Sequence, residues 1–62
     1  MLLRYIGKNG YMRLITGQVY ETKVFTRGNA IHVSWIVPGE RGTRHCPYNS
    51  PMALAKNWEG VK

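Results

Sequence analysis

The chain of 62 residues has room for one domain, and nine lysines and arginines against three acidic residues give it a formal net charge of +6. Such an excess attracts phosphate backbones and acidic protein surfaces, and it does not by itself choose between them. A single cysteine excludes an intramolecular disulfide, and three carboxylates without any aspartate exclude the carboxylate cluster of a two-metal nuclease.

The first predicted elements are a strand and a long polar connection. Leu2 to Ile6 is rich in branched and aromatic residues, as strands are. A polar segment then runs from Lys8 to about Thr16, and Gly17 marks the entry to the next strand. Because glycines recur between short apolar segments along the whole chain, the sequence predicts an all-β fold.

A hairpin is the clearest feature of the sequence. Val19–Arg27 and Ala30–Val37 are rich in β-forming residues and flank Gly28-Asn29, a two-residue turn. A tight turn places Arg27 opposite Ala30, and the alternation of side chains then assigns two faces. The face predicted to form the core comprises Tyr20, Thr22, Val24, Thr26, Ile31, Val33, Trp35 and Val37. The opposite face carries Val19, Glu21, Lys23, Phe25, Arg27, Ala30, His32, Ser34 and Ile36.

The remainder of the chain predicts one short helix between two strands. Ser50 is placed to cap the helix, Pro51 suits its first position, and Asn57 can end it. Pro38–Gly42 is predicted to be a loop and Thr43–Tyr48 a short strand. The helix is predicted over Met52–Lys56, and the closing strand over Trp58–Val61.

Five short strands with one short helix before the last have the order of elements of a small Src-homology-3-like (SH3-like) barrel. Several segments resemble those of small SH3-like proteins encoded by bacteriophages and prophages: Tyr5-Ile6-Gly7-Lys8, Leu14-Ile15-Thr16-Gly17-Gln18-Val19-Tyr20, Pro47-Tyr48-x-Ser50 and Asn57-Trp58-Glu59. The second segment departs from the usual pattern of these proteins at two positions. Ile15 is inserted between Leu14 and Thr16, and Gln18 stands where lysine is usual. The resemblance implies a single five-stranded SH3-like barrel domain over residues 1–62, and it brings no catalytic residue.

The sequence predicts no catalytic, metal or cofactor site. The three carboxylates fall on separate predicted elements and are typical of surface ion pairs: Glu21, Glu40 and Glu59. His45 and Cys46 are adjacent in a predicted strand, so their side chains point to opposite faces and cannot share a metal ion without a bulge. A pair formed by Cys46 and His32 from another strand stays open as an alternative. We therefore expect a protein that is not an enzyme.

The outward face of the hairpin is the main candidate binding surface. Lys23, Phe25, Arg27 and His32 would lie together there, and an aromatic ring among cations is suited to stacking a base beside its phosphate. In the alternative interpretation, Phe25 covers a second small apolar cluster with Val19 and Ile36. Basic residues of the loops form a competing surface with Tyr11 and complete the candidate set: Lys8, Arg13, Arg41 and Arg44.

Two functions are compatible with these features, and the sequence favours the first over the second. The first is a nucleic-acid-binding module for DNA or RNA, and the second is a protein-interaction module, such as a phage protein that modulates a host protein through an acidic surface. No apolar run suits a signal peptide or a membrane span, so we expect a cytoplasmic protein with no membrane partner. An exposed edge strand would allow a weak homodimer, and otherwise we expect a monomer.

Overall fold

A computed structural model describes residues 1–61, which form one five-stranded antiparallel sheet and one short helix. The elements are β1 (Leu2–Tyr5), a 3₁₀ turn (Tyr11–Arg13), β2 (Val19–Arg27), β3 (Ala30–Trp35), β4 (Arg44–Tyr48), α1 (Pro51–Ala55) and β5 (Trp58–Gly60). The strand order is β4-β3-β2-β1-β5, and within residues 1–61 no ladder joins β4 to β5 to close a barrel. The mainly-β prediction is confirmed, with several element ends shifted by one or two residues.

The register of the hairpin is the one that its turn predicts. Thr22 lies opposite Trp35, Phe25 opposite His32, and Arg27 opposite Ala30. The first turn residue, Gly28, has a φ of +60°, as a two-residue hairpin turn requires. The predicted hairpin, continued to Val37, would pair that residue with Tyr20, and this is wrong, because β3 ends at Trp35 and Tyr20 pairs instead with Leu3 of β1.

The core is built around the indole ring of Trp58. Its centroid lies 5.2 Å from that of Tyr5, 6.0 Å from that of Tyr20 and 5.7 Å from that of Trp35. Its Nε1 donates a 2.9 Å hydrogen bond to the hydroxyl of Tyr48, whose pKa is raised mainly by burial. Trp58 on β5 thus contacts an aromatic side chain from each of the other four strands.

The helix is short because it serves as a turn between β4 and β5. The backbone N–H of Ala53 donates to the side chain of Ser50 at 3.1 Å, and Pro51 occupies the first helical position, as the sequence predicts. At the other end, the side-chain amide of Asn57 donates a hydrogen bond of 2.9 Å to the backbone carbonyl of Ala53. The helix ends at Ala55, and after Lys56 the chain turns back toward the sheet at Asn57 and Trp58. No helix within residues 1–61 has the length and hydropathy that crossing a bilayer requires.

The predicted core face of the hairpin is only half buried. Tyr20, Thr22, Val33 and Trp35 are buried, but Val24 is 38% exposed and Thr26 is also exposed, so the prediction is wrong for these two residues. The reason is that β1 pairs only with residues 19–21 of β2. Beyond them the hairpin tip, residues 23–31, extends past the strand that would cover it.

The outer edge of β4 is interrupted by a proline. In the β3–β4 ladder Cys46 pairs with Val33 and Pro47 pairs with His32. The backbone groups of His32 point toward β2, so those of Pro47 point to the open edge. Because proline has no N–H, this edge lacks a donor in its middle, as is typical of protected edge strands.

We expect Tyr48→Phe to destabilise the fold by about 1–3 kcal/mol, because it leaves the buried Nε1 of Trp58 without an acceptor. Urea denaturation followed by tryptophan fluorescence measures the loss. Tyr11→Phe is the matched control, since the half-exposed Tyr11 hydroxyl makes only a 3.7 Å contact with the Sγ of Cys46. Equal stability of the two variants would contradict the role given to the Trp58 hydrogen bond.

Candidate nucleic-acid interface

The candidate residues of the hairpin do share one exposed face. Lys23, Phe25 and Arg27 alternate along β2, and His32 lies directly opposite Phe25 on β3. Phe25 is 42% exposed and Ile36, beyond the end of β3, is 52% exposed. Among residues 1–61 no second apolar core covers this face, so the alternative interpretation of Phe25 as part of such a cluster is wrong.

Three rings stand side by side across this face. The rings of Phe25 and His32 are stacked, with centroids 5.2 Å apart and an interplanar angle of 7°. His45 of β4 continues the series, 5.8 Å from His32 and tilted by 47°. We call Phe25, His32 and His45 the ring ladder. With its neighbours it lines a depression of about 210 Å³ formed by Phe25, Arg27, His32, Ser34, Thr43 and His45.

The two ends of the ring ladder differ. His32 stands between Phe25 and His45, and its Nδ1 is buried without a hydrogen-bond partner among residues 1–61. Phe25 is at the free end, because β1 stops short of it and leaves the outer side of β2 uncovered there. One face of the Phe25 ring is therefore stacked on His32, and the other is available to a planar ligand.

The cations beside the ring ladder are not neutralised by an acidic neighbour. Lys23 and Arg27 are exposed on either side of Phe25, and the salt bridges found among residues 1–61 involve neither. Glu21, the acidic residue of the same face, is 3.1 Å from the amino group of Met1. The positive field of the hairpin tip is thus available to an external anion.

Two of the loop candidates, Arg13 and Arg44, meet at Glu40, apart from the ring ladder. Arg13 contacts Glu40 at 3.1 Å, and Arg44 contacts the same carboxylate at 3.0 Å through Nε and 3.4 Å through Nη2. Arg44 lies on the face of β4 opposite to His45, because neighbours in a strand alternate. We call Arg13, Glu40 and Arg44 the Glu40 cluster, and it joins the first long loop to the second.

The Glu40 cluster has a lower excess of charge than its two arginines suggest, because one carboxylate offsets one of them. The hydrogen bond from Arg44 is the largest cause of the lowered pKa of Glu40, and the nearby charges of Arg44 and Arg13 act in the same direction. Lys8 and Arg41 are exposed in the first and second long loops. The structure therefore brings Lys23, Phe25, Arg27 and His32 together on one face and joins Arg13 to Arg44 through Glu40, apart from that face.

The thiol of Cys46 lies away from the ring ladder. Cys46 is buried on the inner face of β4, whereas His32 is on the outer face of β3, so the alternative Cys46–His32 pair is wrong. The described residues contain no group of three or more side chains that could hold a metal ion.

His45 is the residue of this face that sequence reasoning did not include among the binding residues. Its position depends on the register between β3 and β4, which pairs it with Ser34. No tight turn fixes that register, because the two strands are joined by the long connection over residues 36–43. Alternation alone indicates that His45 faces away from Cys46, but not that it stands beside His32.

We expect Arg44→Gln to raise the pKa of Glu40 toward its ordinary value of 4.5, and Arg13→Gln to raise it by less. Carbon-detected NMR titration of the Glu40 carboxyl group measures both. Since the folded-state pKa is lowered, the cluster stabilises the fold above the pKa of the unfolded chain, and this contribution is lost as the pH falls through the folded-state pKa. A larger effect of Arg13→Gln would contradict the dominant role of Arg44.

Comparison with known proteins finds no protein-family model, no curated protein and no solved structure that matches this chain.

Proposed function

We propose that this protein binds single-stranded nucleic acid through the outer face of the β2–β3 hairpin. The observation that carries the proposal is the exposed ring of Phe25, which is stacked on His32 and flanked by Lys23 and Arg27. Aromatic side chains that stack bases in a positively charged setting are the common means of binding single strands without sequence preference.

The preference for an unpaired strand follows from the position of Phe25. A base can stack on the free face of its ring and extend the ring ladder by one step, with the rings of His32 and His45 behind it. Bases within a duplex are already stacked on their neighbours and do not present a free face. Each base stacked on an aromatic side chain contributes about 1–3 kcal/mol.

The phosphates are the proposed ligands of Lys23 and Arg27. Both side chains leave the same face of β2 as Phe25, one on each side of it along the strand. Contacts of cations with phosphates supply most of the affinity of non-specific binding and release counterions. The Glu40 cluster is a weaker candidate for this task, because its carboxylate already occupies two guanidinium groups.

We also propose that the fold is a small SH3-like barrel of the kind found in phage and prophage proteins. Its support is the order of the strands around β2, whose first part pairs with β1 and whose second part pairs with β3. Residues of the resembling segments, Tyr5, Tyr20 and Trp58, lie in the core between these two parts. Their roles are structural, so the resemblance supports the scaffold and leaves the ligand to the hairpin face.

Phe25→Ala is expected to weaken binding of a fluorescein-labelled dodecameric oligothymidine by about 5- to 150-fold, the equivalent of one lost stacking contact. Fluorescence anisotropy at physiological ionic strength measures the affinity, which for non-specific binding lies at about 1–100 µM. Ile36→Ala is the matched control, because Ile36 is exposed outside the ring ladder. The same dodecamer in a duplex is expected to bind more weakly.

Three results would contradict this function. Equal affinities of the Phe25→Ala and Ile36→Ala variants would show that no base stacks on Phe25. Tighter binding of the duplex would contradict the preference for an unpaired strand. If neither oligonucleotide binds in the stated range, nucleic-acid binding is excluded and the alternative function, a protein-interaction module, is favoured. The net charge of +6 is compatible with that function too.

The salt dependence of binding tests the phosphate contacts separately. For single strands the slope of log K against log salt concentration is about −0.7 for each neutralised phosphate. We expect Lys23→Gln and Arg27→Gln each to reduce the magnitude of the slope by about 0.7. Lys56→Gln, at the end of α1, is the control, and an equal change in that variant would show that only the total charge matters.

A further inference from the structure

The hairpin tip has an open backbone edge beside its charged face. The amide of Thr22 donates to the carbonyl of Met1 at 2.8 Å, and the amino group of Met1 donates to the carbonyl of Thr22 at 3.0 Å. The backbone groups of alternate residues in a strand point to the same edge. The N–H and C=O groups of Val24 and Thr26 therefore point to the same side of β2 as those of Thr22, beyond its hydrogen bonds with Met1.

Within residues 1–61 no strand lies beside these backbone groups. Val24 and Thr26 are both exposed, and the backbone hydrogen bonds on this side of β2 reach only to Thr22, through Met1. The opposite ladder does not use them either, because Lys23, Phe25 and Arg27 are the residues of β2 whose backbone groups point toward β3. Two donors and two acceptors are thus arranged as the template for one more strand.

We propose that this edge binds an extended acidic peptide segment of a partner protein as an additional antiparallel strand next to β2. Backbone hydrogen bonds to Val24 and Thr26 would hold the segment, and side chains would select it. The proposal concerns a protein ligand held by the backbone of β2, and it does not depend on the nucleic-acid function. The side chains of the bound segment would contact the same Lys23, Phe25 and Arg27, so a peptide and an oligonucleotide would exclude each other from this face.

The charges around the edge indicate the chemistry of the segment. Lys23 and Arg27 leave the outer face at either end of the open edge, and Phe25 lies between them. Every second side chain of an added strand would lie on that same face. Acidic residues at both ends and an aromatic residue between them would complement this series, while small apolar residues would lie beside Val24 and Thr26 on the other face.

A second copy of this chain is a poorer occupant of the edge. The antiparallel register that joins Val24 of one copy to Thr26 of the other also brings Lys23 of one copy against Arg27 of the other. Like charges placed directly opposite each other destabilise a strand pair. The net charge of +6 on each copy adds to this repulsion.

The experiment uses the acetylated and amidated peptide Glu-Val-Tyr-Val-Glu as the probe and amide hydrogen exchange of the ¹⁵N-labelled protein as the readout. We expect exchange at Val24 and Thr26 to slow by about tenfold when about nine tenths of the protein is bound. The scrambled peptide Glu-Glu-Tyr-Val-Val has the same composition and charge, and we expect it to give much less protection.

Two variants separate backbone pairing from attraction between charges. Thr26→Pro removes one of the two edge donors and is expected to abolish protection of Val24 by the peptide, whereas Thr26→Val keeps both donors and the protection. Thr26→Pro is also expected to leave the affinity for oligothymidine within about twofold, because Phe25, Lys23 and Arg27 are unchanged. Loss of both peptide protection and oligothymidine binding, with an altered amide spectrum, would indicate a distorted hairpin. Val24→Pro then serves as the second variant.

The proposal is overturned by any of three outcomes. The first is equal protection by the scrambled peptide, which would reduce binding to charge alone. The second is protection of Val24 and Thr26 in the free protein together with a dimer in analytical ultracentrifugation, which would make the second copy the occupant. The third is protection by oligothymidine and not by the peptide, which would assign the edge to nucleic acid.

Discussion

The packing of four aromatic rings around Trp58 is the interaction on which the rest of the structure depends. A chain this short buries a smaller fraction of its surface than a longer one does, so a few large side chains must supply most of the apolar burial. Trp58 lies on a strand of three residues and still contacts Tyr5, Tyr20, Trp35 and Tyr48. The helix and its caps are explained by this requirement, because they return the chain so that Trp58 enters the core.

The limits of this core also determine what the hairpin exposes. Burial ends near Thr22 and Val33, and the strands continue beyond it toward the turn at Gly28. The hairpin tip is therefore held in shape by its own ladder rather than by packing on both faces. An exposed aromatic ring and two cations that no carboxylate neutralises can exist together there because no core has to accommodate them.

The hairpin and the helix start could be predicted because their determinants are local. The Gly28-Asn29 turn fixes the register by geometry, and Ser50 with Pro51 fixes the first turn of the helix. The exposure of Val24 could not be predicted, since it depends on where a distant strand ends. The position of His45 depends on a long connection, which leaves the register free.

The Glu40 cluster shows a second limit of the same kind. Arg13 meets Glu40 only because the backbone turns through left-handed conformations at Met12 and Arg13, with φ values of 48° and 64°. Non-glycine residues adopt this region at a cost, and no local sequence signal requires it here.

The effect of the proline on the outer edge of β4, in contrast, follows from one residue alone. Pro47 interrupts one side of the β2–β3–β4 unit, and Val24 and Thr26 are open on the other, so a strand of one copy added beside Val24 and Thr26 would not find a matching edge on β4 of the next. The proposed complexes at this edge would therefore have a fixed stoichiometry, and stacking of successive copies into fibrils would be interrupted at the first step.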